Sequence, residues 1–554
     1  MSAPTIRKAP NRPRTATHRP ATRKRRYKHD ELVAVDLFSG FGGLTKGIEA
    51  AGFLTIMAAN HRKYKVEIHE ANHPHAEHWI ADLVDPESSD YHSARDLPAA
   101  DLLVAGVSCV NHSQANTQKA YEQGASLFDL DDPDFDERVT RSERDRATAN
   151  CVLHYADQHR PRMILVECTT ELVSWGPAIP GRQKVGDGST YRWWLRQFGN
   201  LDYEFRELRL NSMFFGVPQS RDRLYIVFWQ KHMPAPDLDH CPLSWCASCD
   251  DAVEAVWSWK TGVPPTGAVR YGTQYNYRCP RCRREVVPPM TPSLEALDLS
   301  DLGSRIGDRP LKTFKVGDQE VLSPLAPATM ARAERCRQRF AEYPAVLMPA
   351  KAAHGVERLL GQPMATQTSQ QETGILSTGT VMFAHRHNGD GQHITRPMDT
   401  VTATENRALL FASVTNYQGA PRGVDAPLPT QAGSETLGLV SGIIPFRKNT
   451  RPALGFEAIP TITSEQVPGL LTAEWAAALA NISLEDCYFR MLRAPEVGVG
   501  CGFDPDRPGH KGTFKVWGSA RNQVDGYGNA VSPAVGEWIG RRLRVSFHQE
   551  EVAA

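Results

Sequence analysis

The sequence predicts an α/β protein: a doubly wound, mostly parallel sheet joined to a smaller β-rich domain and a cysteine-rich insert. Three observations predict it. Short apolar runs alternate with helix-like stretches from residue 31 to about 230. A glycine turn directly follows the first of these runs, as at the strand-to-helix turns where open α/β sheets bind ligands. Beyond that region periodicity fades, and residues 241–290 are rich in Cys, Trp, Arg and Pro.

The first strand is the run Leu32 to Leu37, and Leu44, Ile48 and Ala51 follow at helical spacing. "FLTIMAAN" (53–60) reads as the second strand, "ADLLVAGVS" (100–108) and "RMILVECT" (162–169) as later ones, with a helix over 146–158 between them. "RLYIVFW" (223–229) is a further β-rich run. Three related segments, 396–410, 425–440 and 457–471, each carry Pro, then Thr or Ser around a polar turn, then an apolar finish. They predict strand–turn–strand units of the second domain. Residues 471–496 return to helical character, and 533–543 form a terminal helix with Pro533 near its start. The chain divides into a basic arm (1–30), a ligand-binding α/β domain (31–235), the insert (236–290), the β-rich domain (291–472) and a segment returning to the α/β domain (473–554).

A chain of 554 residues is too long for one ordinary core. No apolar stretch approaches the ~18 residues of a membrane span, and no signal-peptide apolar region stands near the start. A cytoplasmic protein without a membrane partner is expected, and a monomer. Formal net charge is zero. Residues 1–30 nonetheless hold ten Lys or Arg against the single acid Asp30, with four prolines. That arm is expected to be disordered, and it reads equally as a solvated tail or as a salt-sensitive phosphate-binding arm. Eleven cysteines in such a chain do not suggest a disulfide framework.

Five stretches carry chemistry. "DLFSGFGG" (36–43) lets the backbone turn tightly beneath a ligand, and no Lys-Ser/Thr follows the glycines, which argues against a nucleoside triphosphate. In "AGVSCVNHSQ" (105–114), Cys109 lies just beyond a strand end, either a nucleophile or a small buried hydrophobe. Glu167 ends the apolar run Met163 to Val166, as an acid for ring-nitrogen protonation or an exposed strand-end carboxylate. Gln219, Arg221 and Arg223 alternate, and so project to one side of an extended segment, favouring an anion or a base. "GYGNAVSPAVGEWIG" (526–540) is the fifth.

In this order the motifs resemble those of the cytosine-C5 DNA methyltransferases, over roughly 32–230 and 474–543. The resemblance implies a Rossmann-like methyltransferase sheet and a β-rich target-recognition domain. It implies methyl transfer from S-adenosylmethionine to C5 of a cytosine flipped out of double-stranded DNA. It makes Cys109 the nucleophile on C6 and Glu167 the partner of N3. Arg221 and Arg223 would hold the base and orient the thiolate, and Gln219 would shape the loop. The cofactor is expected against Asp36, Phe38, Ser39, Gly40, Gly42, Gly43 and Leu44, with Asn60 and His61 at the second strand end. Asp82 would meet its adenine amino group, and Asn529 and Val531 complete the set, Asn529 also supporting the hinge between domains.

The chain departs from the family's usual pattern at three places. Ser108 stands where Pro usually precedes the nucleophile, Cys168-Thr169 where Asn-Val follows the acid, and Asn60-His61 where an acid meets the ribose. "CVNHSQAN" resembles a bacterial subgroup with Cys-Thr-Asn-His-Ser in this loop. Two alternatives stay open: the same thiolate chemistry with methylenetetrahydrofolate, giving hydroxymethylcytosine, and a non-catalytic DNA-binding relative.

Cys246-x-x-Cys249 and Cys279-x-x-Cys282 form two knuckles whose four thiolates suit a closed, structural zinc site. Cys241 falls outside that set. Arg278, Arg281, Arg283 and Arg284 around the second knuckle face either DNA phosphates or solvent. The acidic run 129–137 reads as a solvated loop.

Overall fold

The computed structural model describes residues 18–19, 31–85, 87–107, 148–176, 178–179, 182–260, 262, 267–299, 301–317, 319–339, 345–349, 358–359, 362–367, 373–377, 442–443, 453–454 and 483–553. It divides into two compact units, residues 1–291 with 498–554, and residues 292–497.

The first unit is built on an eight-stranded sheet. Its strands and main helices are β1 (His18–Arg19), β2 (Val33–Leu37), α1 (Gly43–Ala50), β3 (Leu54–Asn60), α2 (Lys63–Asn72), β4 (Glu77–Ile80), β5 (Leu102–Gly106), β6 (Met163–Cys168), α3 (Ser189–Asn200), β7 (Tyr203–Asn211), β8 (Asp222–Gln230), α4 (Ala520–Asn529) and α5 (Pro533–Ala553). Residues 148–159 add a further helix. The strand order is β1-β4-β3-β2-β5-β6-β8-β7. The four junctions from β4 to β6 are parallel, while β1 on β4, β8 on β6 and β7 on β8 are antiparallel.

The central strands are continuously apolar because both faces are covered. Val35, Leu37, Leu103, Ala105, Ile164 and Val166 pack on one side with Val152 and Tyr155 of the 148–159 helix and Trp194 and Phe198 of α3. Their alternating neighbours Ala34, Leu102, Val104, Met163 and Leu165 pack on the other side with α1 and α5. This is the doubly wound arrangement expected from the sequence. Chain direction from β2 passes outward to β3 on one side and, later, to β5 on the other. The gap between β2 and β5 is therefore the switch point where such sheets take ligands.

α5 starts with Pro533 at its first turn, where a missing N–H costs nothing. It lies against α1 closely enough that a Cβ on Gly43 would overlap the Val531 carbonyl, and one on Gly47 the Pro533 carbonyl. Among the described residues, no helix is long and apolar enough to cross a membrane.

The cysteine-rich insert is a hairpin, 243–246 with 251–254, followed by a three-stranded antiparallel sheet of 256–259, 275–278 and 285–286. The second unit carries an antiparallel sheet in which Tyr488–Met491 pairs with Thr373–Ser377 and Ser304–Arg305. A helix, Pro327–Arg339, supplies Ala333 and Cys336 to its small core.

One expectation is corrected. Residues 471–496 are expected to be helical, but Tyr488–Met491 is a strand, because Phe489 buries in that core and its β-prone neighbours satisfy their backbone groups across two ladders. Of the basic arm, the described residues are His18–Arg19, which pair with His78 and Trp79 along the backbone edge of β4. The β-rich segments at 396–410, 425–440 and 457–471, the acidic run and Cys109 lie outside the described residues.

Candidate active site

Every parallel strand delivers a site residue to the same edge. β2 ends beneath the glycine turn, β3 on Asn60, β4 just before Asp82, β5 on Gly106, just before Val107, and β6 on Glu167-Cys168. Ser108 and Cys109, which follow Val107 in the sequence, lie outside the described residues. Val107 is buried, and its N–H donates to the Glu167 carbonyl at 3.1 Å, so the start of that loop is fixed beside Glu167.

The turn after β2 is tight. Phe38 holds φ +60° and Gly40 φ +56°, and Ser39 donates its N–H to the Ala59 carbonyl at 3.2 Å. Gly42 caps α1 with φ +82°, and a Cβ there would come within 2.9 Å of the His69 and His73 rings. Glycine is thus required at 42 twice over, by conformation and by space.

Beneath this turn lies a buried polar chain. The Thr45 hydroxyl donates to Asp36 Oδ2 at 2.6 Å and stands 3.0 Å from His69 Nε2, and His69 Nδ1 stands 2.8 Å from His78 Nε2. With Thr45 donating to Asp36, the chain runs His78 to His69 to Thr45 to Asp36, and His69 carries its proton on Nε2. Burial and the neighbouring His rings hold the His69 pKa well below its usual value, so the ring is neutral. Burial pushes the Asp36 carboxyl up to about 7, against the hydrogen bond from Thr45. Asp36 Oδ1 finds no hydrogen-bond partner among the described residues. Beside this chain, Glu49 Oε2 meets His73 Nδ1 at 2.8 Å and Oε1 meets His75 Nε2 at 2.6 Å.

The other expected cofactor residues are spread along the edge. Leu44 is buried against α5, and Val531 presses its backbone onto Gly43. Asn60 is buried and accepts from the Arg62 N–H at 3.0 Å, which opens α2, while His61 is exposed. Asp82 is buried, and its Oδ1 takes the N–H groups of Val84 and Asp85 at 3.0 and 3.2 Å. Asn529 is exposed and donates to the Asp525 carbonyl and carboxylate at 2.9 and 3.0 Å. Asp525 in turn pairs with Lys65 and Arg62 at the start of α2.

The expected base-binding residues do gather. Glu167 is buried on the face of the sheet that carries α1, and Arg223 Nε approaches its Oε1 to 3.2 Å, without hydrogen-bond alignment. Arg221 is buried and donates from Nη1 to the Gly528 carbonyl at 2.9 Å, tying this segment to the Gly-Asn-Ala-Val motif. Gln219 is fully buried and donates from Nε2 to Cys501 Sγ at 3.3 Å. The three do not form one extended strand: Gln219–Ser220 is a separate short strand and β8 begins at Asp222. Cys501 and Thr45 had no sequence signal, since each acts through a partner distant in the chain.

The four expected metal ligands also converge. The thiols of Cys246, Cys249, Cys279 and Cys282 lie within 4.8 Å of one another, Cys246 to Cys282 at 3.5 Å and Cys249 to Cys279 at 3.8 Å.

Comparison with known proteins agrees with the motifs. Residues 32–129 match the family model described as C-5 cytosine-specific DNA methylase. The type II methyltransferase M.HgiBI of Herpetosiphon aurantiacus is 29% identical over 199 residues, 36% of this chain and 37% of its own length. M.NgoBI of Neisseria gonorrhoeae is 25% identical, over 36% of this chain and 51% of its own length. M.HhaI of Haemophilus parahaemolyticus is 24% identical, over 36% of this chain and 50% of its own length. The matches thus span about half or less of these curated relatives. The resemblance read from the motif order is borne out.

Proposed function

We propose that the chain is a DNA cytosine-C5 methyltransferase that transfers a methyl group from S-adenosylmethionine to a flipped-out cytosine in duplex DNA. The observation that carries this reading is Glu167, buried at the carboxyl edge beside Arg223 and one strand away from the end of β5, where Cys109 follows.

Cytosine C5 is a poor nucleophile. The Cys109 thiolate adds to C6, and the displaced electron pair makes C5 an enamine carbon. Glu167 gives or shares a proton at N3, dispersing the charge that develops on the ring. Arg223 neutralises the carboxylate afterwards, and Arg221 holds the segment in place through Gly528. S-adenosylmethionine supplies an electrophilic methyl group. Loss of the C5 proton to a base then returns the electron pair, expels the thiolate and restores aromaticity, and any proton held at N3 goes back to Glu167.

The residues present fit such a donor. The turn at Phe38–Gly42 has left-handed backbone at three positions and no bulky side chain at 39, 40, 42 or 43. Asn60 and Asp82 stand at the ends of neighbouring strands, as a ribose and an adenine require. Asn60 binds a hydroxyl without charge assistance.

For the insert we propose structural zinc. A tetrahedron of Zn–S bonds of about 2.3 Å has S···S edges of about 3.8 Å, close to the 3.5 and 3.8 Å separations of the thiols. Four protein ligands leave no open position for chemistry. Residues 292–497 are assigned to reading the target sequence. The test is trapping on a duplex containing 5-fluorocytosine in the presence of S-adenosylmethionine. A covalent adduct that disappears in Cys109→Ser supports the reading, and no adduct with the unaltered chain overturns it.

A further inference from the structure

The connection between β7 and β8 runs beyond its own ladder. The last pair of that ladder is Asn211 with Asp222, so residues 212–221, which carry Gln219 and Arg221, project past it. Met213 and Phe214 in this connection bury themselves in the core of the insert, in one cluster with Cys246, Cys279, Tyr275 and Tyr277. Phe214 meets the rings of Tyr271 and Tyr277 at 4.8 and 5.3 Å.

Asp222, between Arg221 and Arg223, is held from the insert. The Tyr275 hydroxyl donates to its Oδ1 at 2.8 Å, and the Tyr271 N–H donates to the same oxygen at 3.2 Å. Tyr275 is itself fully buried, so its hydroxyl has a fixed position. Burial raises the Asp222 pKa, and the hydrogen bond from Tyr275 opposes that rise.

The segment that follows Glu167 is held from the same direction. The Val269 N–H donates to Thr170 Oγ1 at 3.0 Å, and the Gly267 N–H donates to Ser174 Oγ at 2.7 Å. Trp257 Nε1 donates to the Arg209 carbonyl on β7 at 3.1 Å, a third attachment.

We infer that the cysteine-rich insert is a brace for the base-binding residues, with Tyr275 and Asp222 as positioning residues for Arg221 and Arg223 and with Val269 and Thr170 steadying the chain after Glu167. The kinetic part of this inference rests on the proposed function; the structural part does not. A brace of this kind links the metal knuckles to turnover. Cys246 and Cys279 belong to the core that holds Met213 and Phe214, so ordering the knuckles also orders the connection that presents Gln219 and Arg221.

The test compares the full chain with its Tyr275→Phe variant, which loses one hydroxyl and keeps the ring. Hydrogen exchange over 169–174 and 212–224 is expected to quicken, with 54–60 in β3 unchanged. In methyl transfer, kcat is expected to fall about tenfold or more while the KM for duplex DNA stays within about twofold, as for misplaced groups. Asp222→Asn keeps an acceptor for Tyr275 and Tyr271 and should retain most of the activity, whereas Asp222→Ala should resemble Tyr275→Phe. Unchanged exchange over both segments in Tyr275→Phe overturns the inference, as does kcat equal to that of the unaltered chain. If the unaltered chain modifies no cytosine, the proposed function fails, and the exchange comparison still decides the brace.

Discussion

Arg223 Nε lies 3.2 Å from Glu167 Oε1, across two strands that run antiparallel at the edge of a parallel sheet. Only 13% and 8% of the two side chains are exposed, so solvent screens the pair weakly. Removing one partner strands the other charge in a buried place, which costs about 3–5 kcal/mol. Arg223→Ala should therefore lower the urea midpoint strongly, and Glu167→Gln/Arg223→Ala should recover part of the loss. A double-mutant cycle should give a coupling of at least about 1 kcal/mol. Strictly additive effects would mean the two groups do not interact in solution.

Gly43 and Gly526 are set by close approach, the first against the Val531 carbonyl and the second against the Phe41 ring. Alanine at either should cost about 1–3 kcal/mol by overpacking and weaken S-adenosylmethionine binding with it. Gly199 in α3 meets nothing within 4 Å. Gly199→Ala should leave stability unchanged or raise it by up to about 1 kcal/mol. Thermal melts of the three variants separate these outcomes.

Glu49 gives a pH dependence with a definite sign. Burial alone would raise its pKa, but hydrogen bonds from His73 and His75 prevail and bring it from 4.5 down to about 2. Its folded pKa is the lower one, so its contribution is present above pH 4.5 and is lost as pH falls towards 2. The stability difference between the unaltered chain and Glu49→Gln should shrink as pH falls from 4.5 towards 2. A difference that grows on acidification would contradict the assignment.

The four thiols should bind one zinc per chain. Removing it with a chelator should lower the melting temperature, and Cys249→Ser should reduce metal content without affecting the β2–β6 core. Metal analysis alongside a melt checks both. A chain purified free of zinc, with an unchanged melt after chelator, would remove the metal from the account.

Much of the sheet was legible in the sequence because its strands are buried on both faces and read as unbroken apolar runs. Val33–Leu37, Leu102–Gly106 and Met163–Cys168 needed no other signal. An apolar run reads alike in either direction, however, so nothing in "RLYIVFW" marked β8 as antiparallel to β6. Tyr488–Met491 carries no strand signal of its own, because its strand partners, 373–377 and 304–305, are far away in sequence. The site shows the same division. Glu167, Arg221, Arg223 and the four thiols carry short-range patterns. Asp222 sat unnoticed between two arginines, since its partner Tyr275 is 53 residues away and belongs to the insert.

The most direct test of the central claim is nucleoside mass spectrometry of duplex DNA incubated with the full chain and either S-adenosylmethionine or methylenetetrahydrofolate. 5-Methylcytosine is expected with S-adenosylmethionine alone, and none from Cys109→Ser. Hydroxymethylcytosine from the folate donor, or no modified cytosine with either, would contradict the claim.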